Sequence, residues 1–192
     1  MGISDLERKA IYDIYCESTT GEKFIVELQR AKQTFFKDRT LYYSTFPITE
    51  QAYKGNWNYE LKAVYCISIL DFLFDEHKDD KEVIYNVQLK DQNNQVFYEK
   101  FNLIYLQLPN FHKSENELHT NLDKWLFFIK NLEDLQHIPA IFHNSLIEQA
   151  FDKAKIANFN RQEMSKYRNS LKVYWDSYNV MYTAKQEGIE QG

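Results

Sequence analysis

Asp13 and Glu27 are the residues whose types and spacing could do chemistry, because the pattern around them folds both carboxylates onto one face of a hairpin. Tyr12-Asp13-Ile14-Tyr15-Cys16-Glu17 is separated by Ser18-Thr19-Thr20-Gly21-Glu22 from Phe24-Ile25-Val26-Glu27-Leu28-Gln29. Alternation in the second run sends Phe24, Val26 and Leu28 to one side and Ile25, Glu27 and Gln29 to the other. With the turn centred near Thr20, antiparallel pairing sets Glu17 across from Lys23, Tyr15 across from Ile25 and Asp13 across from Glu27. Directly opposed like charges destabilise a sheet, so the pair calls for a compensating partner. Hard oxygen ligands suit Mg²⁺ or Mn²⁺, and Mg²⁺ commonly takes only one or two protein carboxylates, keeping positions for water and a phosphate. Strand acids more often face water, and register decides between the two cases.

An Asp strand followed by Glu-x-Gln on the next strand resembles the core of the PD-(D/E)xK nuclease superfamily. More narrowly, Asp13-Ile14-Tyr15-Cys16, then Phe24 to Arg30, then Arg39-Thr40-Leu41-Tyr42-Tyr43-Ser44 look like the recombination-promoting nucleases, a transposase family of that superfamily. The resemblance implies an α+β, restriction-endonuclease-like fold, a mixed sheet flanked by helices and followed by a C-terminal helical segment. It implies a metal-dependent DNA endonuclease in which Asp13, Glu27 and the backbone carbonyl of Leu28 hold Mg²⁺ or Mn²⁺ and a water attacks phosphorus. The superfamily's lysine is Gln29 here, a glutamine that the recombination-promoting branch often has. Gln29 is read as a water-positioning group, and Lys32, Lys37 or Arg39 as the source of positive charge. Arg30, Lys32, Lys37 and Arg39 cluster just beyond the Glu strand as phosphate contacts. Members of the family usually carry a further helix, with an acidic residue, and a strand ahead of the Asp strand, whereas this chain begins twelve residues before Asp13. A truncated member of weak or no activity is therefore expected. The alternative is a catalytically dead relic acting as a dimerisation or partner-binding module.

At 192 residues, 44% hydrophobic and 16% aromatic, the chain can bury a core. It lacks an apolar run long enough for a bilayer, so no membrane role is expected, and with no signal-peptide pattern the cytoplasm is the expected location. A net charge of -5 denies it a general electrostatic grip on nucleic acid, so contact with DNA must be local and transient. Cys16 and Cys66 read as reduced core thiols. A homodimer fits a nuclease that makes double-strand breaks.

The positioning elements follow. A helix is expected from about residue 33, with Phe36, Thr40, Tyr43 and Pro47 on one face; Pro47 ends or kinks it and residues 49–53 resume it until Gly55. Residues 64–70 read as a central strand buried on both faces, 82–89 as another, with a turn over 91–94 and further strand over 96–101 and 103–108. Ser114 with Glu117 reads as a capping box that opens a helix with Leu118, Leu122, Trp125, Ile129 and Leu132 buried. Further helices are expected over 145–158 and 160–187, the last with a packing stripe from Met164 to Met181. The division expected is a nuclease-like core over 1–112 and a helical region over 113–192 packed on or beside it. Tyr42 and Tyr43 read as packing or phosphate-contact residues, not nucleophiles. His77 reads as part of a solvated loop, and His112, His119, His137 and His143 as structural or surface groups.

Overall fold

The hairpin forms in the even-sum register. In the computed structural model, which describes residues 13–52, 57–132, 134–135, 137–143, 145–154 and 185, strand β1 (Ile14–Glu17) runs antiparallel to β2 (Lys23–Gln29). Tyr15 faces Ile25 and Glu17 faces Lys23, an ion pair. The turn closes with the Gly21 N–H donating to the Ser18 carbonyl at 3.1 Å, and Gly21 takes a φ of 96°, which an L side chain rarely adopts.

Crossing from β2 to β3 (Val64–Leu70), the chain passes through helix α1 (Phe36–Thr49), as a parallel pair requires. Strand β5 (Val96–Gln107) lies parallel to β3 on its far side, and β4 (Ile84–Lys90) pairs antiparallel with β5 to give the order β1-β2-β3-β5-β4. The mixed five-stranded sheet with its helices is an α+β fold. β3 is central and largely buried, as its apolar run predicts. The stretch over 96–101 runs on into 103–107 as one strand, as expected, with register shifts against β4 at Gln88 to Lys90.

Alternation decides what meets α1. Ile25, Cys66, Leu70, Leu103 and Tyr105 form a core cluster with Phe36 and Phe74. Phe36 meets the edge of Tyr105 at 6.4 Å between centroids, a favoured aromatic geometry. Phe36, Thr40, Ser44 and Pro47 are the buried residues of α1, so the helical face is as expected apart from Ser44. Pro47 lies inside the helix, which ends two residues later at Thr49. Resumption over 49–53 does not occur among the described residues: the Gln51 side chain accepts the Lys62 N–H at 2.7 Å and donates to the Pro47 carbonyl at 3.0 Å, joining the helix end to the entry of β3.

Three further expectations change. Cys16 is exposed while Cys66 is buried, because β1 is the outermost described strand on its side of the sheet and all its residues are exposed. His77 does not sit in a solvated loop; it ends the 3-10 turn Asp75–His77 and stacks on Tyr85 with centroids 3.9 Å apart. The Ser114 capping box forms but closes on one 3-10 turn, Glu115–Glu117. Helix α2 is Asn121–Asn131, opened by a second reciprocal pair in which the Asp123 N–H donates to Thr120 Oγ1 and the Thr120 N–H donates to Asp123 Oδ2, each at 3.0 Å. Of the expected stripe Leu118 is buried, Trp125, Ile129 and Leu132 are half-buried and Leu122 is 45% exposed, while Leu126 and Phe128 are buried in their place.

The chain divides into two units, Met1–Lys130 and Asn131–Gly192. In the second, α3 (Leu146–Ala154) falls inside the helix expected over 145–158, while the stripe from Met164 to Met181 lies outside the described residues. No described helix is long and apolar enough to cross a membrane.

Since Thr120 caps an α-helix and Ser114 only a single turn, Thr120→Ala should lower unfolding free energy by about 1 kcal/mol and Ser114→Ala by less. Urea midpoints of the two variants check this, and an equal or larger loss from Ser114→Ala would contradict it.

Candidate metal centre

Asp13 stands one residue before β1, and the register that sets Ile14 across from Val26 puts Asp13 next to Glu27 when continued one step. Its carboxylate is fixed by the backbone, with the Leu28 N–H donating to Asp13 Oδ2 at 2.8 Å. The Gln29 carbonyl accepts from Asp71 N at 3.0 Å on the β3 side. Because backbone polar groups of successive strand residues point in opposite directions, the Leu28 carbonyl, like its N–H, turns toward the Asp13 side. Asp13, Glu27 and Leu28, the residues the resemblance implies for a metal, are thus neighbours.

Glu27 is the buried member of the pair, its side chain 14% exposed. Burial, then the negative charge of Asp13, pushes its carboxyl above the ordinary range; the Asp13 N–H and Arg39 partly offset this. Glu27 Oε1 is buried with no hydrogen-bond partner among the described residues, as is Ser68 Oγ, which lies on the residue paired with Glu27 in the parallel ladder. Both residues line a crevice with Arg39, Thr40, Tyr43 and Cys66 that has room for about one water molecule. Burial, and secondarily Glu27, pushes the Cys66 thiol up to about 12, so it is no nucleophile. Ser68 is a further residue of this crevice that the motif does not include; its signal in the sequence is a lone hydroxyl in the apolar run of β3, at the level of Glu27.

Gln29 shares the Glu27 face, and Arg39 reaches it from the second turn of α1. Arg39 Nη2 donates to Gln29 Oε1 at 2.7 Å and lies 3.9 Å from Glu27 Oε2, while Nη1 donates to Gln33 Oε1 at 2.7 Å. The rest of the basic cluster is brought to acids of the β3-to-β4 connection. Arg30 is 4.0 Å from Asp71, Lys32 pairs with Asp75 and Lys37 with Glu76. Hydrogen bonds from Lys32 and then Lys78 hold the Asp75 carboxyl down at about 2. Tyr43 lines the crevice, whereas Tyr42 is 47% exposed.

A hard divalent ion fits this donor set. The atoms offered are oxygens, and an unpartnered buried carboxylate oxygen beside a second carboxylate is costly until a cation arrives. The set is sparse: among the described residues no group of three or more His, Cys, Asp and Glu gathers.

The raised Glu27 pKa has a signed consequence. The folded state holds this proton more tightly than the unfolded chain does, so stability is lost as pH rises from the ordinary carboxylate range through the raised value. Glu27→Gln should accordingly raise the melting temperature of metal-free protein at pH 7, with the gain shrinking toward pH 4. Calorimetry in EDTA across that range measures it, and a melting temperature lowered at pH 7 would contradict it.

A family model for PD-(D/E)XK nuclease family transposases matches residues 2–184. No curated protein and no solved structure matches the chain. The mixed sheet, with the Asp13 strand beside the Glu27 strand and a helical crossover to the parallel β3, agrees with the restriction-endonuclease-like fold of such nucleases. The chain belongs to the PD-(D/E)XK nuclease family transposases.

Proposed function

We propose that the chain is a metal-dependent DNA endonuclease module that hydrolyses phosphodiester bonds in DNA recombination or transposition. The observation that carries the reading is the buried Glu27 carboxylate, one oxygen unpartnered, beside Asp13. Asp13, Glu27 and the Leu28 carbonyl would hold Mg²⁺ or Mn²⁺. When bound there, the ion would lower the pKa of a water, offset charge developing at phosphorus and orient the scissile phosphate. The chain's own groups prepare that site. Leu28 N–H fixes Asp13 through Oδ2 and leaves its other oxygen to be offered. Burial of Glu27 keeps bulk water from competing for its carboxylate. Arg39 adds positive charge on the same face.

Activity is expected to be weak. With so few protein ligands among the described residues the ion depends on DNA phosphate to complete its shell, so Mg²⁺ affinity without DNA should be roughly millimolar or poorer. The partner is DNA, engaged locally and transiently, and a homodimer would supply paired sites for a double-strand break. A second reading, a catalytically dead relic serving dimerisation or partner binding, draws on the same sparse donor set.

Plasmid nicking separates the two readings. With Mn²⁺ or Mg²⁺ the protein should nick slowly; Asp13→Ala or Glu27→Ala should reduce the rate by about 100-fold or more, and Gln29→Ala by less. Nicking that survives Glu27→Ala undiminished contradicts the site, and its absence with either ion at high enzyme concentration favours the relic.

A further inference from the structure

The neutral Gln29 leaves the charge of the superfamily's lysine to be supplied from elsewhere, and the geometry around Gln29 narrows the source. Its amide is engaged at both ends: Nε2 donates to the Ala31 carbonyl at 2.7 Å, and Oε1 accepts from Arg39 Nη2 at 2.7 Å. The amide cannot be reversed without loss, since a carbonyl only accepts and a guanidinium only donates. Gln29 therefore presents an oxygen to Arg39. Gln33 fixes the other guanidinium arm. The rings of Phe36 and Tyr43 lie 5.0 and 5.8 Å from Arg39 Cζ and brace it from either side along the helix. The guanidinium is held by two neutral amides and two rings, at 3.9 Å from a Glu27 oxygen.

Charge accounting sets Arg39 apart from the other basic residues. Lys32 and Lys37 are each compensated by their own carboxylate, Asp75 and Glu76, away from Glu27. The acid within 4 Å of Arg39 among the described residues is Glu27, and with Glu27 committed to an ion Arg39 would keep its two neutral amide partners and turn its full charge to the substrate. Guanidinium is also suited to phosphate, offering two parallel N–H groups where lysine offers one point charge.

We propose that Gln29 and Arg39 together take the place of the single lysine: Arg39, lent by α1, contacts the substrate phosphate, and Gln29 is a positioning residue that holds Arg39 rather than a water. The proposal rests on the phosphodiester-hydrolysis reading for the identity of the ligand, and on geometry alone for the Gln29–Arg39 coupling.

The two parts are tested separately. In metal-free protein with ¹⁵N-labelled arginine, Arg39 should show separate, slowly exchanging Nη signals. Gln29→Ala should merge them by freeing the guanidinium, and Gln29→Glu, which keeps an oxygen toward Arg39, should preserve them. Signals unchanged in Gln29→Ala would overturn the positioning role. Binding of a fluorescent DNA duplex with Ca²⁺ reads the phosphate contact. Arg39→Met should weaken binding about tenfold and reduce the slope of log K against log salt by about 0.9. Gln29→Ala should do the same, and the double variant should bind no worse than Arg39→Met alone. Losses that multiply in the double variant, or an unchanged salt slope in Arg39→Met, would overturn the proposal, provided circular dichroism shows each variant folded. Wild-type protein that binds no DNA would overturn the nuclease reading and the phosphate contact with it, while the arginine signals still decide the coupling.

Discussion

The antiparallel register of β1 on β2 is the constraint on which the rest of the site depends. Tyr15 across from Ile25 commits Asp13 and Tyr15 to the face that carries Ile25, Glu27 and Gln29, and a slip of β1 by one residue would send Asp13 and Tyr15 to the opposite side from Glu27. The turn makes the register specific. Gly21 adopts a conformation that other residues rarely take, and Ser18 and Thr20 both donate to the Glu22 carboxylate, so the hairpin has little freedom to lengthen or shorten. Tyr15 reinforces the choice of face, its hydroxyl donating to Glu50 Oε2 at 2.8 Å just past the end of α1.

The parallel pairing of β2 with β3 then adds what the hairpin cannot. It covers one flank of Glu27 with Ser68 and obliges the chain to cross over through α1, and the crossover brings Arg39 to Gln29. The arrangement carries a stability cost in the absence of metal. Glu27 is desolvated, sits next to another carboxylate, keeps one oxygen without a partner and has Arg39 only at 3.9 Å. Such frustration has a physical use if a cation relieves it, because an ion then gains from a preformed, dehydrated carboxylate. On the proposed function, the same logic would let a chain of net charge -5 address DNA. Its positive charge need not be general if one guanidinium is held in place at the reacting phosphate while other basic groups are compensated locally.

The part of this that the sequence makes legible is local and periodic. Alternation and a polar turn suffice for the hairpin register, and the apolar run of 64–70 suffices for the central strand. Contacts that depend on how elements pack are harder to read. Arg39 lies ten residues from Gln29, and nothing in the spacing chooses it over Lys32 or Lys37 until α1 is docked on the sheet. Cys16 has the apolar pattern of a core residue but sits on an outer strand, which no alternation reveals. The start of α2 fails for a different reason: two capping boxes follow one another, and the first, at Ser114, is satisfied by a single turn, so capping chemistry alone does not say which one begins the helix. At the candidate site the carboxylates come from short-range pattern, whereas Ser68 and the Gln29–Arg39 bond come from tertiary structure.

The most direct measurement is the anomalous signal of Mn²⁺ in crystals grown with a DNA duplex, where substrate phosphate can complete the ion's shell. A peak at about 2.1–2.3 Å from carboxylate oxygens of both Asp13 and Glu27, with the Leu28 carbonyl in the same shell, is the predicted result. Ordered DNA at this face with no Mn²⁺ between Asp13 and Glu27, or Mn²⁺ bound only elsewhere on the chain, would contradict the metal centre.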